Sequence, residues 1–439
     1  MKNKTYIKEF AKYTSLNIIG MLSLSLYILA DTFFVANGIG ANGLAALNFA
    51  IPIFSIIAGC SLMLGIGGAT KYAIFKSQNN MAKANEVYTN TILVTIGFVS
   101  VFFLAGVFFS GAITVILGTD QEIFEMTRTY LQVVLLFSPV LITNNVLICF
   151  IRNDGAPQLS MLAMVSSSFS NILFDYVFII MLEMGMFGAA LATGVASIIG
   201  LLIIATYFIR RKNNFSLILG RAKNILSGRL IGETFSIGFP SLVIELSVGI
   251  VLVVFNIIIL GLQGTIGVAA FGVIANIAIV AIAVFIGIAQ GIQPLISKYH
   301  GMGNRENVKA IIRCAVILMA AISIVVYSVV FFGAYYIADL FNSEQNELLQ
   351  NIAVTGLRIY FIGIIFAGFN IIISVYFTST ETPRPAHIIS VLRGFLVIVP
   401  MAFLLSSIGG IAGVWYAFPL TEFIVSGIGC YLYFKRHSV

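Results

Sequence analysis

Four acidic residues, Asp31, Asp175, Glu245 and Glu422, interrupt otherwise apolar stretches of this sequence. An ionisable side chain inside hydrocarbon is costly, and where it occurs it marks an ion or substrate pathway. Asn171 stands one helical turn before Asp175 and shares its face, while Thr193 lies in the next apolar run. Carboxylate, amide and hydroxyl oxygens gathered at one level can hold a proton or a hard cation such as Na⁺. Two neighbouring carboxylates resist joint ionisation unless a cation sits with them. The chemistry these residues suggest is therefore reversible proton or cation binding. No nucleophile–base pair, metal-ligand spacing or nucleotide motif accompanies it, and Gly65-Ile-Gly-Gly68 precedes no strand, so it reads as close helix packing. The chain is expected not to be an enzyme, to carry no cofactor, and to draw energy from an ion gradient.

The elements that would position these residues follow from composition. Of 439 residues, 59% are apolar and 9% are charged, with a mean hydropathy of +1.04, against roughly 25% charged in soluble domains. Long uncharged runs alternate with charged clusters, which predicts an all-α polytopic membrane protein, since each crossing needs about 20 apolar residues. Twelve spans are predicted, at 13–36, 44–75, 87–110, 127–150, 158–182, 187–209, 231–259, 266–297, 308–332, 348–378, 386–406 and 410–434. The net charge of +7 comes from cations between apolar runs, without a basic arm interleaved with aromatics, so no nucleic-acid partner is expected. Cys60, Cys149, Cys314 and Cys430 show no disulfide or metal spacing.

Of the 24 Lys and Arg, only Arg128 and Arg358 fall in odd-numbered connections; the rest lie at the termini or after even-numbered spans. The positive-inside rule then places both termini in the cytoplasm. The basic stretch 210–230 divides the chain into an N-terminal lobe, 1–209, and a C-terminal lobe, 231–439, with six spans each. The halves echo one another. Gly43-Leu-Ala-Ala46 matches Gly267-Val-Ala-Ala270, Gly185 and Gly188 match Gly410 and Gly413, and Ala156-Pro157 matches Thr382-Pro383. Six spans return the chain to its starting side, so the lobes are related by a pseudo-two-fold along the membrane normal, an arrangement found in transporters.

At 1.5 Å per residue, Asp31, Asp175 and Thr193 all fall in the outer half of the N-terminal lobe. At the repeat shift they correspond to Phe255, Pro400 and Phe418, and Asn171 to Leu396, so the polar set belongs to one lobe only. Tyr27, Phe174 and Tyr176 neighbour it and could meet a flat cation through their rings. Glu245 could line the same cavity. Glu422 follows Pro419 and is expected to cap backbone groups, with no side-chain partner evident. Pro52 and Pro294 predict kinks in spans 2 and 8, and no Arg or Lys is placed near the middle of any span.

Several stretches resemble the multidrug and toxic compound extrusion (MATE) family, and most closely its MepA/DinF-like bacterial branch. They are Tyr27-Ile-Leu-Ala-Asp-Thr-Phe-Phe-Val35, Ile151-Arg-Asn-Asp-Gly-Ala-Pro157, Asn171-Ile-Leu-Phe-Asp-Tyr-Val-Phe178, Gly185-Met-Phe-Gly-Ala-Ala-Leu-Ala-Thr193, Gly287-Ile-Ala-Gln-Gly-Ile-Gln-Pro294 and Gly410-Ile-Ala-Gly-Val-Trp415. The resemblance implies a pair of six-helix lobes exporting cationic, often aromatic compounds in exchange for H⁺ or Na⁺. It also implies a monomer in the bacterial inner membrane, in contact with lipids. Members with an N-lobe coupling site use an Asp on span 1, Asn-x-x-x-Asp on span 5 and a Thr on span 6, which Asp31, Asn171, Asp175 and Thr193 match. The NorM-like branch stresses acids on spans 7 and 10; Glu245 lies on span 7, but residues 348–380 hold no acid. Related proteins often carry a proline on span 1 where this chain has Leu16. Two other readings are a flippase for lipid-linked precursors, which would need a strongly cationic cavity, and a sensor or scaffold without transport.

Overall fold

The computed structural model describes residues 3–210, 212–218, 226–342 and 345–437. Lys2, Arg211, Arg221, Lys223 and Glu344 lie outside the described residues, as does 219–225 of the basic stretch. All regular structure among the described residues is helical. Among the described residues nine runs are long and apolar enough to cross a membrane, and one bent pair makes a tenth. Two of these runs, Gly228–Gly301 with 74 residues and Pro383–Arg436 with 54, far exceed the length of one crossing. Each breaks at a glycine, which brings the number of crossing helices to twelve.

In chain order these are α1 (Asn3–Gly38), α2 (Ala41–Ser77), α3 (Met81–Phe108), α4 (Gln121–Leu136 with Ser138–Asp154), α5 (Pro157–Asp175 continued by a π turn, Tyr176–Met181) and α6 (Gly185–Ile209). The second six are α7 (228–263), α8 (265–301), α9 (Arg305–Phe341), α10 (Glu347–Ser379), α11 (383–409) and α12 (411–437). A short helix, Ser110–Ile116, joins α3 to α4. Every predicted span falls on one of these helices. On α9, Val329, Phe332, Tyr336 and Leu340 are exposed at three- and four-residue spacing, a face suited to lipid and not to water. The chain is a multi-pass membrane protein.

The turns repeat between the halves. Gly264 breaks the first long run at φ 62°, ψ −156°, and Gly410 breaks the second at φ 56°, ψ −137°, conformations in which a Cβ is strained. Gly40 (φ 90°) and Gly185 (φ 58°) stand at the corresponding turns of the first half, so the internal repeat is written in the backbone as well as in the residues. Pro157 and Pro383 open α5 and α11, where the missing N–H costs nothing. Asn80, Ser227 and Asn346 cap α3, α7 and α10 by accepting from Lys83, Leu230 and Leu349 N–H.

Span 4, expected as one helix over 127–150, is broken in two. Its two helices meet at 51°, next to Phe137 and with a proline in the first turn of the second helix. The fifth span of each half contains a π turn, Tyr176–Met181 in α5 and Leu392–Leu396 in α11, which shifts the faces of the helix beyond it.

The contacts define two compact units. One comprises Ile19–Leu246 and Ser297–Asn304; the other comprises Met1–Ile18, Ser247–Ile296 and Arg305–Val439. The first is held by small residues on α2. A Cβ at Gly65 would press on Val146 and Cys149, one at Gly67 would strike the Thr234 carbonyl, and one at Gly68 would strike Thr91. In the second unit, Gly287 and Gly291 of α8 admit the α1 backbone at Ile18 and Thr14.

The first unit also fixes the segment that follows α6. Both oxygens of buried Asp154 accept hydrogen bonds, from the hydroxyls of Tyr72 (2.7 Å) and Tyr207 (2.8 Å) and from Asn214 N and Nδ2 (2.9 and 3.0 Å), and Lys76 supplies the counter-charge. Phe215, 2% exposed, inserts among the rings of Tyr72, Tyr88, Phe150, Tyr207 and Phe208. Beyond it, Asn85, Thr89 and Asn90 of α3 accept from the backbone N–H of Ser216, Ile218 and Ser227.

Candidate functional site

The site is built where the end of α5 meets the start of α6. Asp175 ends the α-helical part of α5 immediately before the π turn and is 0% exposed. One turn earlier, buried Asn171 stands between Asp175 and buried Thr193 of α6. Its amide nitrogen donates to Asp175 Oδ2 (3.0 Å) while its oxygen accepts from Thr193 N–H (3.3 Å). In the opposite amide orientation it donates to the Thr193 hydroxyl (3.3 Å). The Thr193 hydroxyl itself donates to Ala189 O (3.3 Å).

α1 brings Asp31 within electrostatic reach of Asp175. Asp31 Oδ1 and Asp175 Oδ1 are both buried and have no hydrogen-bond partner among the described residues. Neither acid forms an ion pair among them. Tyr27, one turn before Asp31 on the same face, interacts electrostatically with Asp31, Asp175 and Glu245. Glu245 of α7 rests against Gly59 of α2, its Cβ 3.3 Å from where a Cβ on that glycine would stand. Two carboxylate oxygens without donors, with a hydroxyl and an amide nearby, fit a proton or a small hard cation.

The other two aromatic candidates pack against neighbouring rings. Tyr176 is 48% exposed and lies against Phe34, ring centroids 6.2 Å apart. Phe174 stacks on Phe178 at 5.3 Å and 18°. The side chain that sequence reasoning missed is Tyr130 of α4, buried and within electrostatic reach of Asp31, Asp175 and Tyr27. A lone tyrosine in an apolar helix has no signal of its own. Only its spacing from the bend at Phe137 would have hinted that it turns inward.

The C-terminal unit corrects two expectations. Glu422 of α12 does not cap backbone groups; it forms a buried ion pair with Arg393 of α11. Arg393 Nη2 and Nε donate to Glu422 Oε1 at 2.7 and 3.1 Å, and Asn370 Nδ2 of α10 donates to Oε2 at 2.7 Å. Arg393 stands ten residues beyond Pro383, about 15 Å along its helix, so one arginine does lie near the middle of a span. Its charge was grouped with the connection before α11 because the π turn and the Glu422 partner, 29 residues away, are invisible in periodicity.

The MatE family model matches residues 17–177 and 240–404, more than half of the chain, including Asp31, Asn171, Asp175 and Glu245. The chain is 26% identical over 410 residues to the multidrug export protein MepA of Staphylococcus aureus strain MRSA252, covering 92% of this chain and 88% of that protein. It is 25% identical over 412 residues to the multidrug export protein MepA of Staphylococcus saprophyticus, covering 93% and 89%. An outward-facing structure of a multidrug resistance MATE family transporter of the MOP superfamily has a TM-score of 0.92 at 24% identity, over 98% of this chain and 96% of that one. A MOP superfamily transporter from Pyrococcus furiosus has a TM-score of 0.91 at 23% identity, over the same shares. At these identities the structural likeness is one of fold.

Proposed function

The chain belongs to the MatE family, and from that premise we propose that it is a secondary active multidrug efflux antiporter, exporting cationic aromatic compounds in exchange for H⁺ or Na⁺. The observation that carries this reading is the carboxylate pair Asp31 and Asp175, each with a buried oxygen lacking a donor and neither with a basic partner among the described residues. Such a pair takes up a cation and releases it when its surroundings change. Asn171 and Thr193 complete the coupling site. Tyr27 and Glu245 provide an aromatic face and a negative charge for the organic cation, with Phe174 and Tyr176 as outlying aromatic contacts.

Coupling follows from differential affinity. Occupation of Asp31 and Asp175 by a proton or Na⁺ favours one conformation of the lobes 1–209 and 231–439, the organic cation favours the other, and each ligand therefore expels its competitor. Both termini are cytoplasmic, the transporter acts as a monomer in the inner membrane, and no bound cofactor takes part. The excess of Lys and Arg in even-numbered connections supports this orientation. A flippase for lipid-linked precursors would need cations free to hold phosphates, whereas Lys71, Lys76 and Arg393 each have an acidic partner.

The reading is tested by ethidium efflux from vesicles of reconstituted protein, under an imposed proton gradient and, separately, a Na⁺ gradient. Efflux is expected under one gradient and is expected to fall at least tenfold in Asp31→Asn and in Asp175→Asn while insertion is unchanged. Wild-type efflux by either variant would remove these residues from the coupling role, and no flux under either gradient would refute antiport of cations.

A further inference from the structure

The buried carboxylates of this protein divide according to whether the chain supplies its own counter-charge. Asp154 has Lys76. Glu422 has Arg393, in an ion pair whose side chains are 4% and 12% exposed. Asp31 and Asp175 have none among the described residues. Among the described residues of its own unit, Glu422 is the one buried acid.

Both of its oxygens are claimed. Two guanidinium nitrogens hold Oε1 and the Asn370 amide holds Oε2. The Tyr360 ring interacts electrostatically with both members of the pair, and its stack on Phe418, 4.3 Å and 7°, places an apolar wall beside them. A transported cation that took Glu422 would have to displace a two-point contact and strand a guanidinium in a low-dielectric interior, where an unpaired charge is heavily penalised. The same penalty holds Arg393 on Glu422 throughout the cycle.

We propose that Arg393 is a built-in counter-ion that withholds Glu422 from cation exchange, so that the acids of the Ile19–Leu246 unit, and not Glu422, set how many cations are exchanged per substrate. The proposal rests on the antiport reading above. It makes the C-terminal unit electrically silent at its core and assigns Arg393 a positioning role without contact to substrate. Asn370, whose Oδ1 is buried and without a partner, becomes the ready second ligand of a cation once Arg393 is gone.

The test counts cations released when purified full-length protein binds ethidium, as protons in weakly buffered solution with a pH indicator or as displaced ²²Na⁺. The variants are Arg393→Met, the double variant Arg393→Met/Glu422→Met, and the double variant Arg393→Gln/Glu422→Gln. Wild type and both double variants are expected to release the same number per ethidium, and Arg393→Met alone one more, because Glu422 is then free to exchange. Replacing both partners leaves no unpaired charge, so the double variants decide the matter even where the single variant does not fold. A lower count in the double variants would show that Glu422 takes part in the wild type and overturn the counter-ion role. So would an unchanged count in folded Arg393→Met. A wild type that binds ethidium and releases neither ion would overturn the antiport reading itself.

Discussion

Asn171 bridges the two helices of the candidate site, and its amide satisfies one oxygen of Asp175 while the other stays open. A hydrogen bond to a charged group contributes about 1.5–3 kcal/mol net. With H⁺ as the coupling ion, Asn171→Leu is therefore expected to lower the proton concentration for half-maximal drive roughly 10- to 150-fold, because ionised Asp175 loses a donor, with ethidium binding at saturating ion unchanged; an unaltered ion dependence would show that Asp175 needs no amide. At this scale much was legible in the sequence. An aspartate in an apolar run is conspicuous because hydrocarbon tolerates few, and the four-residue spacing puts Asn171 on its face. Tyr130 was not legible, since a phenol in a helix reads as packing until another helix brings acids to it. Arg393 and Glu422 were visible one at a time, but pairing is a property of three dimensions, and one π turn decides whether an arginine ten residues into a helix faces an acid.

Among the elements, the turns are the most demanding. Gly409 and Gly410 are neighbours, and an added Cβ meets open space at both, yet only Gly410 has a positive φ. Holding a residue with a side chain in such a conformation costs on the order of 1–3 kcal/mol. Gly410→Ala is expected to lower the thermal midpoint of the detergent-solubilised protein, while Gly409→Ala changes its stability by no more than about 0.5 kcal/mol; equal midpoints would mean that the turn yields. The repeat made these glycines legible, because Gly185 and Gly410 stand at one shift in the two halves. The bend in α4 was not, since an apolar run of the right length looks the same straight or broken at Phe137. The π turns were also hidden, for one extra residue in a turn leaves no mark on composition.

For the whole molecule, the number of crossings was legible because cations avoid alternate connections. The packing units were not, because hydropathy says nothing of which helix a segment leans on. α7 begins in the second half of the sequence, yet Thr234, Gly238 and Leu242 pack on Gly67, Met63 and Gly59 of α2. The strand of chain after α6 is fixed to α3 on both sides of 219–225, through Ile218 and Ser227. Co-expressed fragments 1–218 and 219–439 are therefore expected to co-purify through a tag on either one, and adding Phe215→Ala is expected to reduce the yield; fragments that never associate would show that the unbroken chain, and not these contacts, keeps the halves together.

The assignment of Met1–Ile18 to the unit containing Ser247–Ile296 has a consequence for the order in which a ribosome delivers the protein. Ile18 meets its partner Gly287 only after roughly 270 further residues, which at about 5–20 residues per second is on the order of 15–50 s. Throughout that interval the helix that the beginning of α1 will pack against has not been fully translated. The unit built from 19–246 needs only eight later residues, Ser297–Asn304, whereas the other waits for the last helix. The part of α1 around Thr14 and Ile18 is thus made long before the helix that it packs against, and lipid stands in for that partner until then.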